Sequence, residues 1–114
     1  LCRRKKADII FLSTSRVYPY NAINSLETKE DKTRFIWLGQ GIGEDFPLDG
    51  PKTLYGATKL ASEFLLQEYI ANYGIKGVVN RLGVIAGPWQ FGKVDPGVFT
   101  LWMLAHYFKK QLYL

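Results

Sequence analysis

A tyrosine and a lysine four residues apart are the first side chains in this sequence that could carry out a reaction. Tyr55 and Lys59 lie in a proline-free stretch, residues 55–73, and a helix there would place both on one face, about 6 Å apart. A phenol is a weak base at neutral pH, but an ammonium at that distance favours its phenolate by about 3 kcal/mol at an effective dielectric constant of about 20. Many surface helices carry such a pair by chance. The pair is therefore suited to proton transfer only if its surroundings support that role.

Three consecutive hydroxyl residues follow a short apolar run upstream of this pair. Residues 9–12 are typical of a buried parallel strand, which Ser13, Thr14 and Ser15 would end. The carboxyl ends of parallel strands form the edge at which open α/β sheets bind ligands, and a hydroxyl there can orient a substrate oxygen. Taken alone, the three residues are an ordinary polar strand end. Combined with the tyrosine and the lysine, they form a candidate site.

The order of the elements predicts a β-α-β unit around these residues. Residues 8–15 and 77–85 are predicted strands, and the helix between them ends at Gly74, which is a common helix stop. Such a unit has a parallel sheet and a right-handed crossover. The long connection, residues 17–51, is rich in glycine, proline and polar residues; only residues 33–38 favour a short strand, with room for one hairpin.

The last helix and the basic N-terminal cluster complete the predicted elements. Asp95 and Pro96 are typical of an N-cap and a first helical position, and the helix would run to about Phe108 with apolar residues nearly all round. The cations at residues 3–6 are interpreted as a solvated helix end, because cations favour the negative pole of a helix.

Composition excludes several classes of function. A chain of 114 residues with 47% hydrophobic residues forms one soluble domain with one core. The longest apolar run, residues 98–108, is too short for a membrane span, which needs about 20 residues, and with no signal peptide the expected location is the cytoplasm. Cys2 and His106 are the only cysteine and histidine, so neither a disulfide nor a Cys/His zinc site can form. Outside residues 3–6, 11 basic residues nearly balance 10 acidic ones, which disfavours a nucleic-acid-binding protein.

Four segments resemble the extended short-chain dehydrogenase/reductase superfamily, in its nucleotide-sugar epimerase and dehydratase branch. They are residues 11–18 (FLSTSRVY), 54–63 (LYGATKLASE), 80–88 (NRLGVIAGP) and 89–99. The resemblance implies an α/β fold: a Rossmann-like, doubly wound parallel sheet in three α/β/α layers. Within the branch, residues 83–102 are most similar to proteins described as CDP-paratose 2-epimerases (CDP-tyvelose epimerases).

The resemblance also implies a reaction and the residues that take part in it. Bound NAD would take a hydride from a sugar carbon and return it to the other face, while Tyr55 takes the hydroxyl proton. The implied catalytic residues are Thr14, Tyr55 and Lys59. The implied cofactor contacts are Ser13, Tyr55, Lys59, Gly83 and Pro88, and the implied substrate contacts are Thr14, Ser15, Arg16, Trp89 and Gln90. The implied substrate is a nucleotide sugar, and the implied assembly of the intact protein is a homodimer.

The number of predicted strands and one missing motif indicate part of a larger fold. Two parallel strands are few for a doubly wound sheet, and the family's G-x-x-G-x-x-G sequence, which cradles the dinucleotide pyrophosphate, does not occur. The glycines at residues 39–43 lead into acidic residues without a helix and are interpreted as a turn. We therefore expect residues 1–114 to be the middle portion of an NAD(P)-binding domain, without its Gly-rich N-terminal half and its C-terminal substrate domain. This portion alone is expected to be inactive and not to bind NAD.

Other functions remain open at this point. A nucleotide-sugar dehydratase or reductase of the same family shares the three catalytic residues, and a non-catalytic dinucleotide-sensing relative would keep the fold without the reaction. Dehydratases usually carry an Asp-Glu pair directly after the catalytic threonine. Here Ser15 and Arg16 occupy those positions, which favours an epimerase.

Overall fold

The computed structural model describes residues 1–39, 41–92 and 97–112, which fall into two compact units, Leu1–Gly83 and Val84–Leu114. The first unit contains, in chain order, helix α1 (Cys2–Lys5), strand β1 (Ile9–Thr14), a 3-10 turn (Ser15–Val17), helix α2 (Tyr20–Asn24), strands β2 (Thr28–Glu30) and β3 (Phe35–Trp37), helix α3 (Leu54–Tyr73) and strand β4 (Gly77–Leu82). The second unit contains helix α4 (Val98–Tyr107).

The predicted β-α-β unit is confirmed. Strands β1 and β4 pair in parallel, from Ile9 opposite Gly77 to Thr14 opposite Leu82, and helix α3 connects them and packs against both. Alternate residues of a strand point to opposite faces of a sheet. On the face away from α3, Ile10, Leu12 and Val78 are 57–70% exposed. Among the described residues of the first unit, the sheet therefore has a helix on one face only, and the three-layer arrangement stays a prediction.

Helix α3 has well-defined ends, close to those predicted. Its N-cap is Thr53, whose hydroxyl accepts a hydrogen bond from the Gly56 amide at 3.0 Å. It ends at Gly74, which takes the left-handed conformation (φ 63°) that glycine adopts without strain, and the Gly74 amide donates to the Ile70 carbonyl at 3.1 Å. The predicted glycine stop is confirmed.

The long connection between β1 and α3 is more structured than its composition suggests. Strand β3 lies within the predicted range and forms an antiparallel hairpin with β2, while the five-residue helix α2 was not predicted. The buried residues Val17, Tyr18 and Leu60 form a small core against which Ile23, Phe46 and Leu48 of the connection pack. The connection therefore gains its order by covering α3, a long-range effect that local composition does not reveal.

Strand β4 is shorter than predicted. It ends at Leu82 because its partner β1 ends at Thr14 and turns into the 3-10 turn, so no backbone groups remain to pair with Val84 and Ile85. Those two apolar side chains, predicted within the strand, are 78% and 63% exposed.

A helix lies near each end of the described chain. The short helix α1 confirms the interpretation of the basic cluster as a helix end, and the Arg3 guanidinium lies 4.1 Å from the centre of the Tyr73 ring. Helix α4 begins at Val98 after Gly97 and ends at Tyr107, close to the predicted end; Asp95 and Pro96 lie outside the described residues. Within the described part of the chain, no helix is long and apolar enough to cross a membrane.

Candidate active site

The hydroxyl residues lie where the sequence predicted, at the carboxyl end of β1. Ser13 and Thr14 are buried, with 5% and 8% of their surface exposed, whereas Ser15 and Arg16 are exposed. Thr14 also caps the 3-10 turn, because its Oγ1 accepts a hydrogen bond from the Arg16 amide at 3.2 Å. The threonine hydroxyl is therefore held by the backbone of the turn, and its own proton remains available to a second oxygen.

The first turn of helix α3 contacts this 3-10 turn through Gly56. A Cβ atom added to Gly56 would lie 2.0 Å from the Arg16 carbonyl oxygen and 2.8 Å from its carbonyl carbon. Only a residue without a side chain permits this approach, because the obstacle is backbone that cannot rotate away. The close contact brings Tyr55, the neighbour of Gly56, to the segment that directly follows Thr14.

Tyr55 and Lys59 form the pair that the sequence predicted. Lys59 Nζ donates a hydrogen bond to the Leu12 carbonyl at 2.9 Å, and it lies 5.9 Å from the centre of the Tyr55 ring and 5.0 Å from that of Phe11. The Tyr55 side chain is half-exposed. A lysine ammonium is thus tethered to the end of β1 beside an accessible phenol, and the predicted separation of about one helical turn is confirmed.

A buried carboxylate, which was not predicted from the sequence, lies one turn further along α3. Glu63 is 1% exposed and forms an ion pair with Arg81 of β4, with Arg81 Nη2 donating to Oε2 at 2.8 Å. Arg81 Nε also donates to the carboxylate, and the Ser13 hydroxyl donates to Oε1. The hydrogen bond from the guanidinium to Glu63 raises the pKa of Arg81 despite partial burial, which opposes the shift.

Arg81 continues this network to the long connection. Its Nη1 donates to the Tyr18 hydroxyl and to the Glu44 carbonyl, both at 3.2 Å, and the Tyr18 hydroxyl donates to the Gly43 carbonyl at 3.2 Å. The rings of Tyr18 and Phe46 meet edge to face, with centres 5.7 Å apart. The network therefore fastens residues 43–46 to the sheet.

Two signals in the sequence could have revealed this network. Glu63 stands four residues after Lys59, so it continues the row of Tyr55 and Lys59 along one face of α3. Arg81 is a charged residue inside a valine-rich predicted strand, and charges in buried strands are paired.

An open cleft of about 1240 Å³ lies beside this network. Its walls include the network residues Tyr18, Glu63 and Arg81 together with Ser15 and Arg16, two of the predicted substrate contacts. The three predicted catalytic residues are not among the residues that line it. The cleft and the tyrosine–lysine pair are therefore adjacent features of the first unit, joined through the 3-10 turn.

The remaining predicted contacts lie at or after the end of β4. Gly83 directly follows Leu82, the register partner of Thr14, and a Cβ atom at Gly83 would meet no described atom within 4 Å. Pro88, Trp89 and Gln90 belong to the second unit, where Trp89 is almost fully exposed and the Gln90 side-chain amide donates to the Ile85 carbonyl at 3.3 Å. Their roles toward cofactor and substrate stay predictions.

The sequence matches the NAD dependent epimerase/dehydratase family over residues 1–113. The chain belongs to that family. No solved structure matches it. Membership implies a Rossmann-like fold and an NAD-dependent, sugar-modifying enzyme of the isomerase or lyase class, with NAD bound by the intact protein.

The donor set at the end of β1 fits one part of that cofactor. Lys59 uses one of its three N–H donors on the Leu12 carbonyl, which leaves two for the hydroxyls of a ribose, and the half-exposed Tyr55 stands beside it. These groups fit the ribose next to the nicotinamide. The G-x-x-G-x-x-G sequence that would cradle the pyrophosphate does not occur in residues 1–114.

Proposed function

We propose that the full-length protein, acting as a homodimer, epimerises a nucleotide sugar, and that Tyr55 takes and returns the proton of the reacting hydroxyl. The observation that carries this proposal is the tethered ammonium of Lys59, 2.9 Å from the Leu12 carbonyl and 5.9 Å from the Tyr55 ring. The Tyr55 side chain beside this ammonium is half-exposed. The same exposure leaves the phenol open to a substrate.

Thr14 and Lys59 have separate roles in this proposal. The Thr14 hydroxyl accepts from the Arg16 amide, so its proton can be donated to the substrate oxygen that Tyr55 deprotonates. Lys59 and Tyr55 would hold the ribose of NAD, and NAD supplies the acceptor and donor of the hydride when it is bound. Ser13, Gly83 and Pro88 are proposed as further cofactor contacts. Ser13 would act there as a hydrogen-bond acceptor, since its hydroxyl proton is donated to Glu63.

The substrate proposed is a CDP-sugar of the CDP-paratose type, inverted at carbon 2. The support is the likeness of residues 83–102 to CDP-paratose 2-epimerases, and the proposed contacts are Ser15, Arg16, Trp89 and Gln90. Ser15 and Arg16 directly follow Thr14, and neither can act as a carboxylic acid or its conjugate base. Elimination of water needs such a group near the leaving hydroxyl, so epimerisation is favoured over dehydration.

The test is the full-length Tyr55→Phe variant, with CDP-paratose as substrate and NMR detection of the sugar inverted at carbon 2. Loss of the phenol hydroxyl removes proton transfer, so turnover is expected to fall at least 100-fold, the scale of general acid–base catalysis. Tyr69→Phe on the same helix is the matched control, because Tyr69 is also about half-exposed. Its turnover should equal that of the wild type. Unchanged turnover in Tyr55→Phe would overturn the proposed role.

A further inference from the structure

Glu63 is a buried charge that the proposed reaction does not use. It has 1% of its surface exposed and lies between helix α3 and the β1–β4 sheet. A buried ion pair is weak evidence for stability, since well-packed apolar residues of similar volume often serve as well. The carboxylate does constrain the positions of the groups around it, because each of its buried oxygens requires a hydrogen-bond donor at a fixed place.

The two side chains that donate hydrogen bonds to the Glu63 carboxylate belong to one cross-strand pair. Ser13 of β1 and Arg81 of β4 are register partners, and Glu63 accepts from the side chains of both. The next pair along the sheet is Thr14 with Leu82. One helical side chain therefore holds the two strands at the position directly before the threonine.

The same helix contacts β1 at the preceding residue as well. Lys59, one turn before Glu63, donates to the Leu12 carbonyl at 2.9 Å, while Glu63 accepts from Ser13. Tyr55, Lys59 and Glu63 follow one another at intervals of four, so they form one row on α3. Lys59 and Glu63 therefore form hydrogen bonds with two successive residues of β1. The remaining member of the row is Tyr55, which carries the phenol.

We propose that Glu63 is a positioning residue that, through the Ser13 hydroxyl, fixes Thr14 relative to Tyr55. The inference rests on the proposed function, in which Thr14 and Tyr55 act on the same substrate oxygen. Displacement of a reacting group by about 1 Å can reduce turnover about 100-fold. A hydroxyl that holds the neighbouring residue in place therefore affects turnover without touching the substrate.

The decisive variant is Ser13→Ala in the full-length protein, because it removes one hydroxyl and leaves the Glu63–Arg81 ion pair intact. With CDP-paratose as the probe, kcat is expected to fall about tenfold while KM changes less than twofold. In a Thr14→Ala background, with NAD saturating so that the proposed cofactor contact of Ser13 does not limit turnover, the same change should reduce kcat less than twofold, because the positioning effect of Ser13 is exerted through Thr14. Ser13→Thr, which keeps a hydroxyl, should recover kcat to within threefold of the wild type. Ser62→Ala, which removes an exposed hydroxyl from α3, should have no effect.

A second measurement needs no substrate. The Arg16 amide donates to Thr14 Oγ1, so its hydrogen exchange reports whether Thr14 is held in place. In Ser13→Ala this amide should exchange at least tenfold faster, with no change in the amides of the second half of α3.

The kinetic and exchange measurements distinguish failure of the positioning role from failure of the proposed function. Wild-type kcat in Ser13→Ala, or an equal tenfold loss in the presence and absence of Thr14, would overturn the positioning role. Unchanged exchange at Arg16 would overturn it as well. If Tyr55→Phe and Thr14→Ala both keep full turnover while exchange at Arg16 rises, Ser13 still positions Thr14 and the proposed function alone is wrong.

Discussion

Helix α3 carries polar side chains at two places that differ in exposure and in how many hydrogen bonds they make. At its start, Tyr55 is half-exposed, and its hydroxyl has no hydrogen-bond partner among the described residues. Two turns later, Glu63 is 1% exposed and accepts hydrogen bonds from two strands. Lys59 stands between them and is fastened to β1. One row of side chains therefore leads from Tyr55, which is accessible to a substrate, to Glu63, which is buried and bonded to both strands of the sheet.

This contrast predicts that substitution of Glu63 lowers mainly the stability of the protein, whereas substitution of Tyr55 lowers mainly its turnover. Glu63→Ala removes the carboxylate and leaves the Arg81 guanidinium unpaired, with only 16% of that side chain exposed. The free energy of unfolding is expected to fall by about 3 kcal/mol, near the lower end for a broken buried ion pair, because Arg81 can still reach some water. Equilibrium urea unfolding of the full-length protein measures this loss.

Two further variants show whether the stability effect belongs to the buried end alone. Glu68→Ala removes an exposed glutamate of the same helix, bonded to the Asn72 side chain, and should change stability by less than about 0.5 kcal/mol. Tyr55→Phe should unfold as the wild type does, despite the loss of turnover expected for it. If Glu63→Ala were as stable as Glu68→Ala, the proposed difference between the two ends of the row would disappear.

The sequence predicted the exposed end of this row better than the buried end. Tyr55 and Lys59 could be found because their spacing alone places them on one helical face, and the glycine stop at Gly74 fixed the end of that helix. The strand end at Thr14 followed from a short apolar run. These predictions depend on neighbours in the chain, which is why they succeeded.

The buried network could not be found in the same way, because its partners are far apart in sequence. Ser13 and Glu63 are separated by 50 residues, and Tyr18 and Arg81 by 63. Pairing such residues requires the parallel register and the packing of α3 on the sheet. The helix at Tyr20–Asn24 was missed for a related reason, since its five residues are too few to show helical periodicity.

A further variant moves the start of α3, where Tyr55 lies, without changing Tyr55 or Lys59. Gly56→Ala places a methyl group 2.0 Å from the Arg16 carbonyl oxygen, so the start of α3 must shift. Overpacking of this kind lowers stability by about 1–3 kcal/mol, from which alanine's better helix propensity recovers up to about 1 kcal/mol. Turnover should fall at least tenfold, because Tyr55 moves with the helix.

The matched control for this variant is Gly87→Ala. An added Cβ there meets no described atom within 4 Å, and the residue does not have a positive φ. Its stability should stay within about 0.5 kcal/mol of the wild type. A Gly56→Ala variant that unfolds at the wild-type urea concentration and keeps its turnover would show that the helix does not depend on this close approach.

The smallest expected effect comes from the cap of the same helix. Thr53→Ala removes the hydroxyl that accepts from the Gly56 amide at 3.0 Å, which should lower stability by about 1 kcal/mol, and Thr53→Ser should restore it. Turnover should fall less than in Gly56→Ala, because the packing of Gly56 on Arg16 still locates the first turn. Urea unfolding and the CDP-paratose assay measure the two effects side by side. A larger loss of turnover in Thr53→Ala than in Gly56→Ala would mean that the cap, and not the glycine contact, places Tyr55.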